Sequence, residues 1–553
     1  MAPTDGPTAA SAETPEERSA RYYERGWWSP QTLADHVARH ATERPDAFAF
    51  TTVDGRLTWG EYDATSERLA RSLIDLGLQP GARVAIRLPD TPSYHVAQIA
   101  CEKAGLVTVG LASRAGPREL DHLLAKTKAT TLISHAEHRG EPMAAVVAKL
   151  AGIDHHVVVP RFEVDPGAPL LLDGATHVPV ADRTLLDARR LGPDDLWLIN
   201  STSGTTGLPK CVVHQQNRWH YFSRMAIEFG GMRDDEVVLS VVPTPYGFGQ
   251  WSAHFVPCYL GANTILTERF DTTEALALLE RERATVLCAV STQFRMLLAD
   301  PAYERTDLSS LRVMFTGGEP IPYEAARRFE EATGAPILNV YGSNEAGFVT
   351  GTSIRDPQQR RLRTAGKLPP GTELRLYDEQ GRETTEGRGQ PGSRGPSIGA
   401  GYLDDPAADA ELFTEDGFAL QADIVEVDAE GYLSVVGRKS DLIIRGGKNI
   451  SAPEVEEEVS AHPNVALASA VPIPDPVFGE RVCIFVELRD HGLPFELGDL
   501  AEFMIARGAS KELIPERLVV MNELPQSAGG KVAKTQLREH AARLATEAAS
   551  AAT

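Results

Sequence analysis

Short apolar runs rich in β-branched residues alternate with longer helical stretches along most of the chain. The first runs are RVAIRLP from Arg83, TTLISH from Thr130 and LWLIN from Leu196, and a helical stretch, HVAQIACEKAG, starts at His95. Further runs read VVLSVVP, TVLCAV, RVMFTGG and PILNVYG, and most of them end in Gly or Pro. This alternation predicts parallel sheets covered by helices, whose loops gather beyond the carboxyl ends of the strands, where open α/β sheets bind ligands.

The rhythm breaks in a segment rich in Gly, Pro and Arg, GRGQPGSRGPSIGAG, at residues 387–401. Past Gly437 it restarts with DLIIRGG, a helix at PEVEEEVSAHP, strands at ALASAVPI and RVCIFVEL, and another helix. We therefore predict an α/β chain with a large N-terminal domain of helix-covered sheets at residues 21–437. A smaller α+β C-terminal domain is predicted at residues 438–553, and a flexible or helical tail at residues 1–20.

Composition narrows the classes of partner. The chain has 55 Lys+Arg against 77 Asp+Glu and a formal net charge of −22, which argues against nucleic acid, because such a partner needs a basic face. The five cysteines lie far apart and lack any CxxC spacing, which disfavours disulfides and a cysteine zinc site. The sequence contains neither an apolar run of the ~18 residues that span a membrane nor a secretory signal pattern. We expect a cytoplasmic bacterial protein.

The strongest local motif is STSGTTGLPK, which runs from Ser201 to Lys210 directly after LWLIN. Its hydroxyl groups, glycines and lysine can surround oxyanions with side-chain and main-chain donors. The spacing is not that of a Walker A loop, because the glycines are Gly204 and Gly207 and Lys210 is followed by Cys211. Taken alone, the motif fits a polar turn as well as an anion-binding loop.

Five further motifs follow in a fixed order: FTGGEP, YGSNEAG, QAD, GRKSD and PQSAGGK. Together with STSGTTGLPK, their order and separations resemble those of the adenylate-forming enzymes, the superfamily of acyl- and aryl-CoA synthetases, peptide-synthetase adenylation domains and luciferases. The resemblance runs from Tyr22 to His540, and the stretch YYERGWW is most similar to free-standing aryl- and alicyclic-acid ligases. It implies the acyl-CoA synthetase and luciferase fold, with a mobile C-terminal domain.

The resemblance implies a two-step reaction that uses ATP, Mg²⁺ and coenzyme A. A carboxylate attacks the α-phosphate of ATP to give an acyl-adenylate and pyrophosphate, and a thiol then displaces AMP. Charge crowding at phosphorus calls for positive and donor groups held in place, because such catalysis is mostly positioning and electrostatics. No carrier-protein segment with a phosphopantetheine serine is visible after Lys531, so CoA is the expected thiol.

The resemblance also assigns the nucleotide site. Lys210 matches the lysine of the flexible pyrophosphate loop, and Glu345 matches the glutamate that engages Mg²⁺, a cation that prefers oxygen ligands. Tyr341 is expected to stack on the adenine, and Asp423 to accept both ribose hydroxyls, as an acceptor-only carboxylate can. The other expected nucleotide contacts are Thr202, Ser203, Gly204, Thr205, Thr206, Gly207, Gly318, Glu319, Pro320, Gly342, Asn344 and Arg438.

The small domain is expected to swing about a hinge at Ser440. Lys531 matches the lysine that bridges the carboxylate and the α-phosphate during adenylation, and with Glu345 and Lys210 it completes the expected catalytic set. A flexible cation on a mobile loop suits a group needed in only one half-reaction.

The opposite face of the small domain, DLIIRGGKNI, is expected to serve thioester formation. Gly446 and Gly447 would let this loop approach the pantetheine arm closely. Arg445 and Lys448 would meet the phosphates of CoA.

Three positions depart from the commonest pattern of the superfamily. Asn344 stands where a threonine usually donates to phosphate, Ala422 replaces a glycine before Asp423, and Ser440 replaces a charged hinge residue. None of these changes removes a catalytic group. An enzyme that performs mainly the thioester step on an acyl-AMP made elsewhere nevertheless stays open.

The acyl pocket is expected to form from the segment TPYGFGQWSAH and from the strands that end at Gly317 and Tyr341. Tyr246 stands where many relatives have a gating histidine, and Gly247, Phe248 and Trp251 follow it. An aromatic, apolar pocket suits a carbon skeleton. We therefore expect a bulky aryl, cyclic or polycyclic acid as the substrate.

Alternative functions remain within the same fold. An acid–AMP ligase that loads a separate carrier protein would not consume free CoA, and a luciferase-like oxidase would show oxygen-dependent turnover. A nucleotide-binding pseudoenzyme is disfavoured, because a retired site does not need all of the matched charged residues. The sequence leaves the oligomeric state open, with a homodimer as one candidate.

Overall fold

Helices and strands alternate throughout the computed structural model, which describes residues 14–201, 209–319, 321–438, 442–445, 448–526 and 531–551. A π-helical segment spans Gln250–Phe255, and 3-10 turns span Tyr303–Arg305 and Lys511–Leu513. The α-helices are α1 (Pro15–Glu24), α2 (Leu33–Glu43), α3 (Trp59–Asp75), α4 (Pro92–Lys103), α5 (Pro117–Thr127), α6 (Met143–Val147), α7 (Thr184–Arg189), α8 (Gln216–Gly230), α9 (Gly247–Gly249), α10 (Val256–Leu260), α11 (Thr272–Arg281), α12 (Ser291–Ala299), α13 (Tyr323–Thr333), α14 (Gln358–Arg363), α15 (Pro406–Leu412), α16 (Ala452–Ser460), α17 (Leu497–Ala506) and α18 (Lys534–Ala551).

Both domains contain strands. They are β1 (Phe48–Thr51), β2 (Arg56–Thr58), β3 (Arg83–Arg87), β4 (Val107–Gly110), β5 (Thr131–Ser134), β6 (Glu137–His138), β7 (Glu141–Pro142), β8 (His155–Val158), β9 (Leu170–Leu172), β10 (Ala175–His177), β11 (Leu198–Ser201), β12 (Cys211–His214), β13 (Val237–Ser240), β14 (Asn263–Ile265), β15 (Val286–Cys288), β16 (Val313–Gly317), β17 (Ile337–Ser343), β18 (Gly347–Gly351), β19 (Glu373–Tyr377), β20 (Glu383–Thr384), β21 (Arg388–Arg394), β22 (Ala419–Leu420), β23 (Asp423–Val427), β24 (Leu433–Arg438), β25 (Leu442–Arg445), β26 (Lys448–Ser451), β27 (Val465–Asp475), β28 (Gly479–Leu488) and β29 (Arg517–Met521).

Two eight-stranded sheets form the centre of the large domain. The first has the order β18-β17-β16-β15-β13-β14-β1-β2, and the second has the order β10-β9-β8-β5-β3-β4-β11-β12. The strands from β17 to β1 in the first sheet are parallel, as are those from β8 to β11 in the second. The predicted parallel sheets are confirmed, and antiparallel strands such as β18 and β12 complete their edges.

The two sheets share one hydrophobic core around α4. Every residue of this helix is buried, and its side chains belong to a cluster that includes Val84 and Ile86 of the second sheet and Val238 and Val313 of the first. A helix that is buried all round needs apolar or paired side chains on every face. The predicted helix HVAQIACEKAG is thus confirmed as the element that joins the two sheets.

A third, antiparallel sheet has the order β20-β19-β21-β23-β24 and was not predicted. Its strand β21 lies inside the segment rich in Gly, Pro and Arg, where the sequence predicted only a break. A Cβ atom at Gly389 would lie 2.6 Å from the carbonyl oxygen of Tyr377, and one at Gly392 would lie 2.7 Å from its ring. These glycines mark a close approach within a strand, which the sequence pattern alone does not distinguish from a loop.

The small domain is built on a separate sheet with the order β26-β25-β28-β27, and β29 adds in parallel to β28. Helices α16 and α17 cover one face, and α18 covers the other through Leu537 and Ala541. The predicted combination of a large α/β domain and a small α+β domain is confirmed.

The ends of the two domains lie near the predicted boundary. Strand β24 ends at Arg438 in the third sheet and β25 begins at Leu442 in the fourth, while the predicted hinge, Ser440, lies outside the described residues. Helix α1 begins inside the predicted tail, because Thr14 and Glu17 form a capping box. No helix in the described part of the chain is both long and apolar enough to cross a bilayer.

Candidate active site

A cleft with a volume of about 1920 Å³ lies between the large and the small domain. Its large-domain wall includes Thr292, Gly318, Tyr341 and Asp423, and Lys531 lines it from the small domain. Strands β16 and β17 are parallel neighbours, so their carboxyl ends bring Gly318 and the residues after Ser343 to the same edge. This is the edge where α/β sheets bind ligands.

Lys531 crosses the cleft to the large domain. Its Nζ donates to the carbonyl oxygen of Gly318 at 2.9 Å. Gly318 has a φ of +75°, and a Cβ atom there would lie 2.5 Å from Nζ. A side chain at this position would therefore both strain the backbone and displace the lysine.

The carboxylate of Glu319 is directed to α12. It accepts hydrogen bonds from the main-chain N–H of Thr292 at 2.9 Å and from the Thr292 hydroxyl at 3.1 Å. A carboxylate at a helix N-terminus satisfies unpaired N–H groups and complements the helix dipole. Glu319 thus fixes one wall of the cleft, while Pro320 lies outside the described residues.

Tyr341 and Asp423 meet in the cleft and are each about nine-tenths buried. The tyrosine hydroxyl donates to Oδ2 of Asp423 at 2.9 Å. Asp423 pairs with Arg438 in the register of β23 and β24, and the side chain of Arg438 is not described. Ala422 does not adopt a positive φ, so alanine is accommodated there without strain. A ring beside a buried carboxylate can take the base and the hydroxyls of a nucleoside.

The side-chain amide of Asn344 pairs with the side-chain amide of Asn200 at the end of β11. Nδ2 of Asn344 donates to Oδ1 of Asn200 at 2.6 Å, and Nδ2 of Asn200 returns a bond to Oδ1 of Asn344 at 3.1 Å. Nδ2 of Asn200 also donates to the carbonyl oxygen of Pro245 at 2.9 Å. The residue that replaces the usual threonine therefore ties the end of β17 to the strand that leads into the phosphate loop.

A buried arginine and histidine extend this network. Arg218 donates to His214 Nδ1 at 2.8 Å, to the carbonyl oxygens of Asn344 at 2.8 Å and Glu345 at 3.4 Å, and to that of Ser397 at 3.1 Å. Burial lowers the pKa of Arg218 to about 9, although Glu345 opposes the shift. Burial and the neighbouring Arg218 also hold the pKa of His214 well below its ordinary value.

The hydrogen bonds assign the tautomer of His214. Because an arginine cannot accept, Nδ1 of the neutral ring accepts from Arg218. Nε2 then carries the proton and donates to Oδ1 of Asn200 at 2.6 Å. The backbone of the expected Mg²⁺ ligand, Glu345, is thereby connected to the phosphate-loop strand through a chain of satisfied polar groups.

Glu345 and Lys210 share a contact with Tyr402. The Tyr402 hydroxyl donates to Oε1 of Glu345 at 2.8 Å, and Nζ of Lys210 lies 4.8 Å from the centre of the tyrosine ring. Lys210 also lies 4.0 Å from the carboxylate of Glu411. Burial and the Glu345 carboxylate raise the pKa of Tyr402, so its hydroxyl keeps its proton and acts as a donor.

The donor set around Glu345 fits a magnesium ion that arrives with its nucleotide. The described residues contain no group of three or more His, Cys, Asp or Glu side chains that could hold a metal by themselves. Mg²⁺ is usually bound by one or two carboxylates together with substrate phosphates, because it gives up its waters reluctantly. Glu345 supplies one such carboxylate. The expected loop residues Thr202 to Gly207 lie outside the described part of the chain.

The expected acyl-pocket residues divide between the cleft and the core. Tyr246 lines the cleft, and burial raises its pKa. Trp251 has no exposed surface; its ring stacks on Phe222 with centroids 4.3 Å apart and meets Phe315 edge-on at 5.4 Å. Phe248 stacks on the other side of Trp251 at 5.7 Å.

The two expected pocket glycines sit at close approaches. A Cβ atom at Gly247 would lie 3.4 Å from Oδ1 of Asn344, and one at Gly317 would lie 2.4 Å from the carbonyl oxygen of Val340. At Gly342 it would lie 1.8 Å from the carbonyl oxygen of Gly347, so a glycine is required where β17 approaches β18.

Arg445, on the expected CoA-binding face, is not among the residues that line the cleft. Arg445 forms an ion pair with Glu516 and donates to the carbonyl oxygen of Glu512 at 3.0 Å. Gly446 and Gly447 lie outside the described residues, and Lys448 is described by its backbone only. The roles predicted for these residues stay predictions.

Sequence reasoning missed Asn200, His214, Arg218 and Tyr402. Asn200 directly precedes the phosphate-loop motif and Tyr402 ends a glycine-rich stretch, so proximity to a motif was the only signal for these two. Arg218 lies in a helical stretch where an arginine normally reaches solvent. Only the fold reveals that its guanidinium is buried.

Comparisons with known proteins agree with this geometry. A family model described as AMP-binding enzyme matches residues 37–403, and one described as AMP-binding enzyme C-terminal domain matches residues 454–531. The chain is 32% identical to a 2-hydroxy-7-methoxy-5-methyl-1-naphthoate–CoA ligase of Streptomyces carzinostaticus over 96% of this chain and 97% of that protein. It is 30% identical to a medium-chain fatty-acid–CoA ligase of Escherichia coli, with 96% and 94% covered.

A solved structure has the same fold. The crystal structure of an anthranilate CoA ligase in complex with anthranoyl-AMP superimposes with a TM-score of 0.82 at 22% identity and covers 93% of this chain and 98% of that one. The arrangement of the sheets and of the two domains is therefore shared.

Proposed function

Because the chain belongs to the AMP-binding enzyme family and is an adenylate-forming acyl-CoA synthetase, we propose that it activates a bulky aryl or cyclic carboxylic acid with Mg²⁺ and ATP and transfers it to CoA. The observation that carries this proposal is the contact between Lys531 and Gly318 in the cleft. It brings a cation of the small domain to the strand edge where Tyr341 and Asp423 meet.

In the first half-reaction, an oxygen of the substrate carboxylate forms a bond to the α-phosphorus and the bond to pyrophosphate breaks. Tyr341 and Asp423 hold the nucleoside, so that the α-phosphate faces Lys531. The ammonium group neutralises charge that collects between the carboxylate and the phosphate. Glu345 would hold Mg²⁺ together with the substrate phosphates, and the ion would supply neutralisation of the charge on pyrophosphate.

In the second half-reaction, the CoA thiolate attacks the acyl carbon and AMP leaves with the electrons of the broken bond. The small domain swings about Ser440 and turns the strands β25 and β26 towards the cleft. Arg445, which here pairs with Glu516, is released to the CoA phosphates. The separate sheet of the small domain supports such a rigid-body motion, because few elements would have to deform.

An aromatic side chain in the cleft wall supports the proposed acid class. Tyr246 lines the cleft, whereas Phe248 and Trp251 stack on each other, with Trp251 in the core. The naphthoate ligase that resembles this chain acts on a bicyclic aryl acid by its name, whereas the fatty-acid ligase at similar identity acts on a flexible chain. The ring of Tyr246 offers the cleft a flat apolar face on which a planar acid can stack.

Two narrower activities are the alternatives: thioester formation from an acyl-AMP made elsewhere, and loading of a carrier protein. The position of Lys531 in the cleft favours retained adenylation over the first. The experiment is mass spectrometry of the full chain incubated with a mixed aryl, alicyclic and fatty-acid library, ATP, Mg²⁺ and CoA. A parallel run receives synthetic acyl-AMPs of the same acids and no ATP.

Each outcome of this experiment selects one activity. Acyl-CoA in the first run supports the proposal, and the mass identifies the acid. If acyl-CoA forms in the second run but not in the first, the protein performs only the thioester step. If acyl-AMP accumulates without acyl-CoA, the protein is a carrier-loading ligase. Products from fatty acids alone would contradict the aryl or cyclic substrate.

A further inference from the structure

Tyr402 occupies a place between the two catalytic charges that no motif assigns to it. Its hydroxyl donates to Oε1 of Glu345 at 2.8 Å. Its ring contacts Lys210, whose Nζ lies 4.8 Å from the ring centre. One side chain thus touches the residue expected to hold Mg²⁺ and the lysine of the phosphate loop.

The backbone around Tyr402 is fixed to the same strand that follows the phosphate loop. Tyr402 forms a β-bridge with Val212 in β12, and the N–H of Leu403 donates to the carbonyl oxygen of Cys211 at 2.8 Å. The N–H of Tyr402 donates to Oδ1 of Asp409 at 2.7 Å. The ring therefore moves with the residue next to Lys210.

The carboxylate of Glu345 is better placed for a bound ion if a hydrogen bond holds it in one orientation. A glutamate is among the side chains that lose most rotamer entropy when they are fixed, and a carboxylate that must meet a bound ion gains from being ordered beforehand. Arg218 already fixes the backbone of Glu345, but it leaves the carboxylate to be oriented by another group. Tyr402 donates to that carboxylate and leaves its second oxygen to other ligands.

We propose that Tyr402 is a positioning residue for the ATP-dependent half-reaction, whose hydroxyl orients the Glu345 carboxylate and whose ring keeps Lys210 beside it. The inference rests on the proposed function, because it assumes that Glu345 and Lys210 meet Mg²⁺ and phosphate. Tyr402 acts through these two groups and takes no part in bond making.

Tyr432 provides a matched control elsewhere in the chain. Its hydroxyl donates to Oδ1 of Asp356 at 2.8 Å, and Nζ of Lys367 lies 4.2 Å from its ring centre. It therefore makes the same two kinds of contact as Tyr402, with residues to which the sequence and the structure assign no nucleotide role. Tyr432→Phe removes an equivalent hydroxyl without touching Glu345.

The test measures binding of α,β-methylene-ATP, which cannot react at the α-phosphate, by calorimetry in excess Mg²⁺ and in EDTA. The dissociation constant in EDTA divided by that in Mg²⁺ reports the metal-dependent part of the affinity. This ratio can be measured without knowing the acid. Tyr402→Phe is expected to lower this ratio about tenfold, the factor that a hydrogen bond to a charged group contributes. Tyr432→Phe is expected to leave the ratio unchanged.

A double-mutant cycle with Glu345→Gln separates positioning from a general structural effect. If Tyr402 acts through Glu345, Tyr402→Phe has no further effect on the ratio in the Glu345→Gln background. An equal effect in both backgrounds overturns the inference, as does a wild-type ratio in Tyr402→Phe. Circular-dichroism melting curves confirm that each variant is folded.

The failure of the proposed function looks different. A wild-type chain that binds the analogue equally in Mg²⁺ and EDTA, and forms no acyl-AMP from the acid library, overturns both proposals. A wild-type chain that is active and metal-dependent, together with an unaffected Tyr402→Phe variant, overturns only the role of Tyr402.

Discussion

Lys531 reaches from the small domain to Gly318 across the cleft, and its role is separable from that of its neighbours. Lys531→Ala is expected to lower the rate of adenylate formation by about 10²- to 10³-fold, the usual cost of removing one charge-stabilising group. Thioester formation from synthetic acyl-AMP should stay close to wild type, because the proposed function gives the lysine a role in the first step only. Both rates are measured by stopped-time mass spectrometry.

Lys534 is the matched control for this prediction. It begins α18 and pairs with Glu456 at 2.8 Å within the small domain, three residues from Lys531. Lys534→Ala is expected to leave both half-reactions within about twofold, since its ion pair with Glu456 is made within the small domain. Equal losses of both half-reactions in Lys531→Ala would contradict its assigned role.

Arg218 is a buried cation whose hydrogen bonds go to an imidazole and to main-chain carbonyls. Arg218→Met leaves those carbonyl oxygens without their donor, and we expect the free energy of unfolding to fall by about 3 kcal/mol. Denaturant titration of the full chain measures it. Arg360→Met, which breaks an exposed ion pair with Asp428, is the control and should leave the midpoint unchanged.

The same arginine shows why some site residues escape a sequence reading. Motifs predicted that Tyr341, Asp423 and Lys531 belong to one site, and the structure places all three on one cleft. A motif is visible because several unusual residues occur together. Arg218 and Tyr402 do not belong to a recognisable motif. Their importance depends on burial and on contacts with residues distant in the sequence, which are properties of the fold.

At the scale of elements, α12 links the two domains. Its N-terminus is capped by Glu319, and Nη1 of Arg295 donates to the hydroxyl of Ser460 at the end of α16 at 3.0 Å. Burial lowers the pKa of Arg295, while Glu319, Glu456 and Glu457 oppose that shift. This helix therefore holds the small domain in the orientation that brings Lys531 to Gly318.

Arg295→Ala is expected to shift the small domain away from this orientation. The rate of adenylate formation should fall several-fold, while thioester formation from synthetic acyl-AMP should stay equal or rise, because the proposed function assigns the two steps different orientations of the small domain. Arg327→Ala, which removes exposed ion pairs on α13, is the control. A parallel fall of both rates in Arg295→Ala would refute a role in orientation.

The elements also show where pattern reading succeeds. The runs VVLSVVP and RVMFTGG became β13 and β16 because a strand buried on both faces must be apolar throughout, and this leaves a clear signal. Strand β21 gave no such signal. Its glycines are dictated by the ring and backbone of Tyr377, so the segment resembles a loop until its partners are known.

At the scale of the whole molecule, many histidines are buried in a form that cannot accept a proton. Burial lowers the pKa of His36 and His254 to about 3 and that of His40 to about 4. The same cause holds the pKa of His220, His95 and His214 down. In the unfolded chain these six rings take up protons near their ordinary pKa of about 6.5.

Buried carboxyl groups, of which Asp90 and Glu102 are two, act in the opposite direction. Burial raises the pKa of Asp90 to about 6 and that of Glu102 to about 7. Between their ordinary pKa values and these raised values, the folded chain holds protons that the unfolded chain has lost. Their contribution to stability is present at low pH and is lost as the pH rises, so acidification favours the folded state at these two sites.

Among the described residues, the pKa is lowered at ten histidines and raised at seven carboxyl groups, so the histidines set the sign of the sum between pH 7 and pH 5. As the pH falls below about 6.5, the unfolded chain binds more protons than the folded chain, and each net proton lowers the free energy of unfolding by about 1.4 kcal/mol per pH unit. We expect the denaturant midpoint to drop steeply between pH 7 and pH 5 in titrations at constant ionic strength. A midpoint that is flat or rises over this range would show that these histidines are protonated in the folded protein. Their surroundings in the core would then differ from those described.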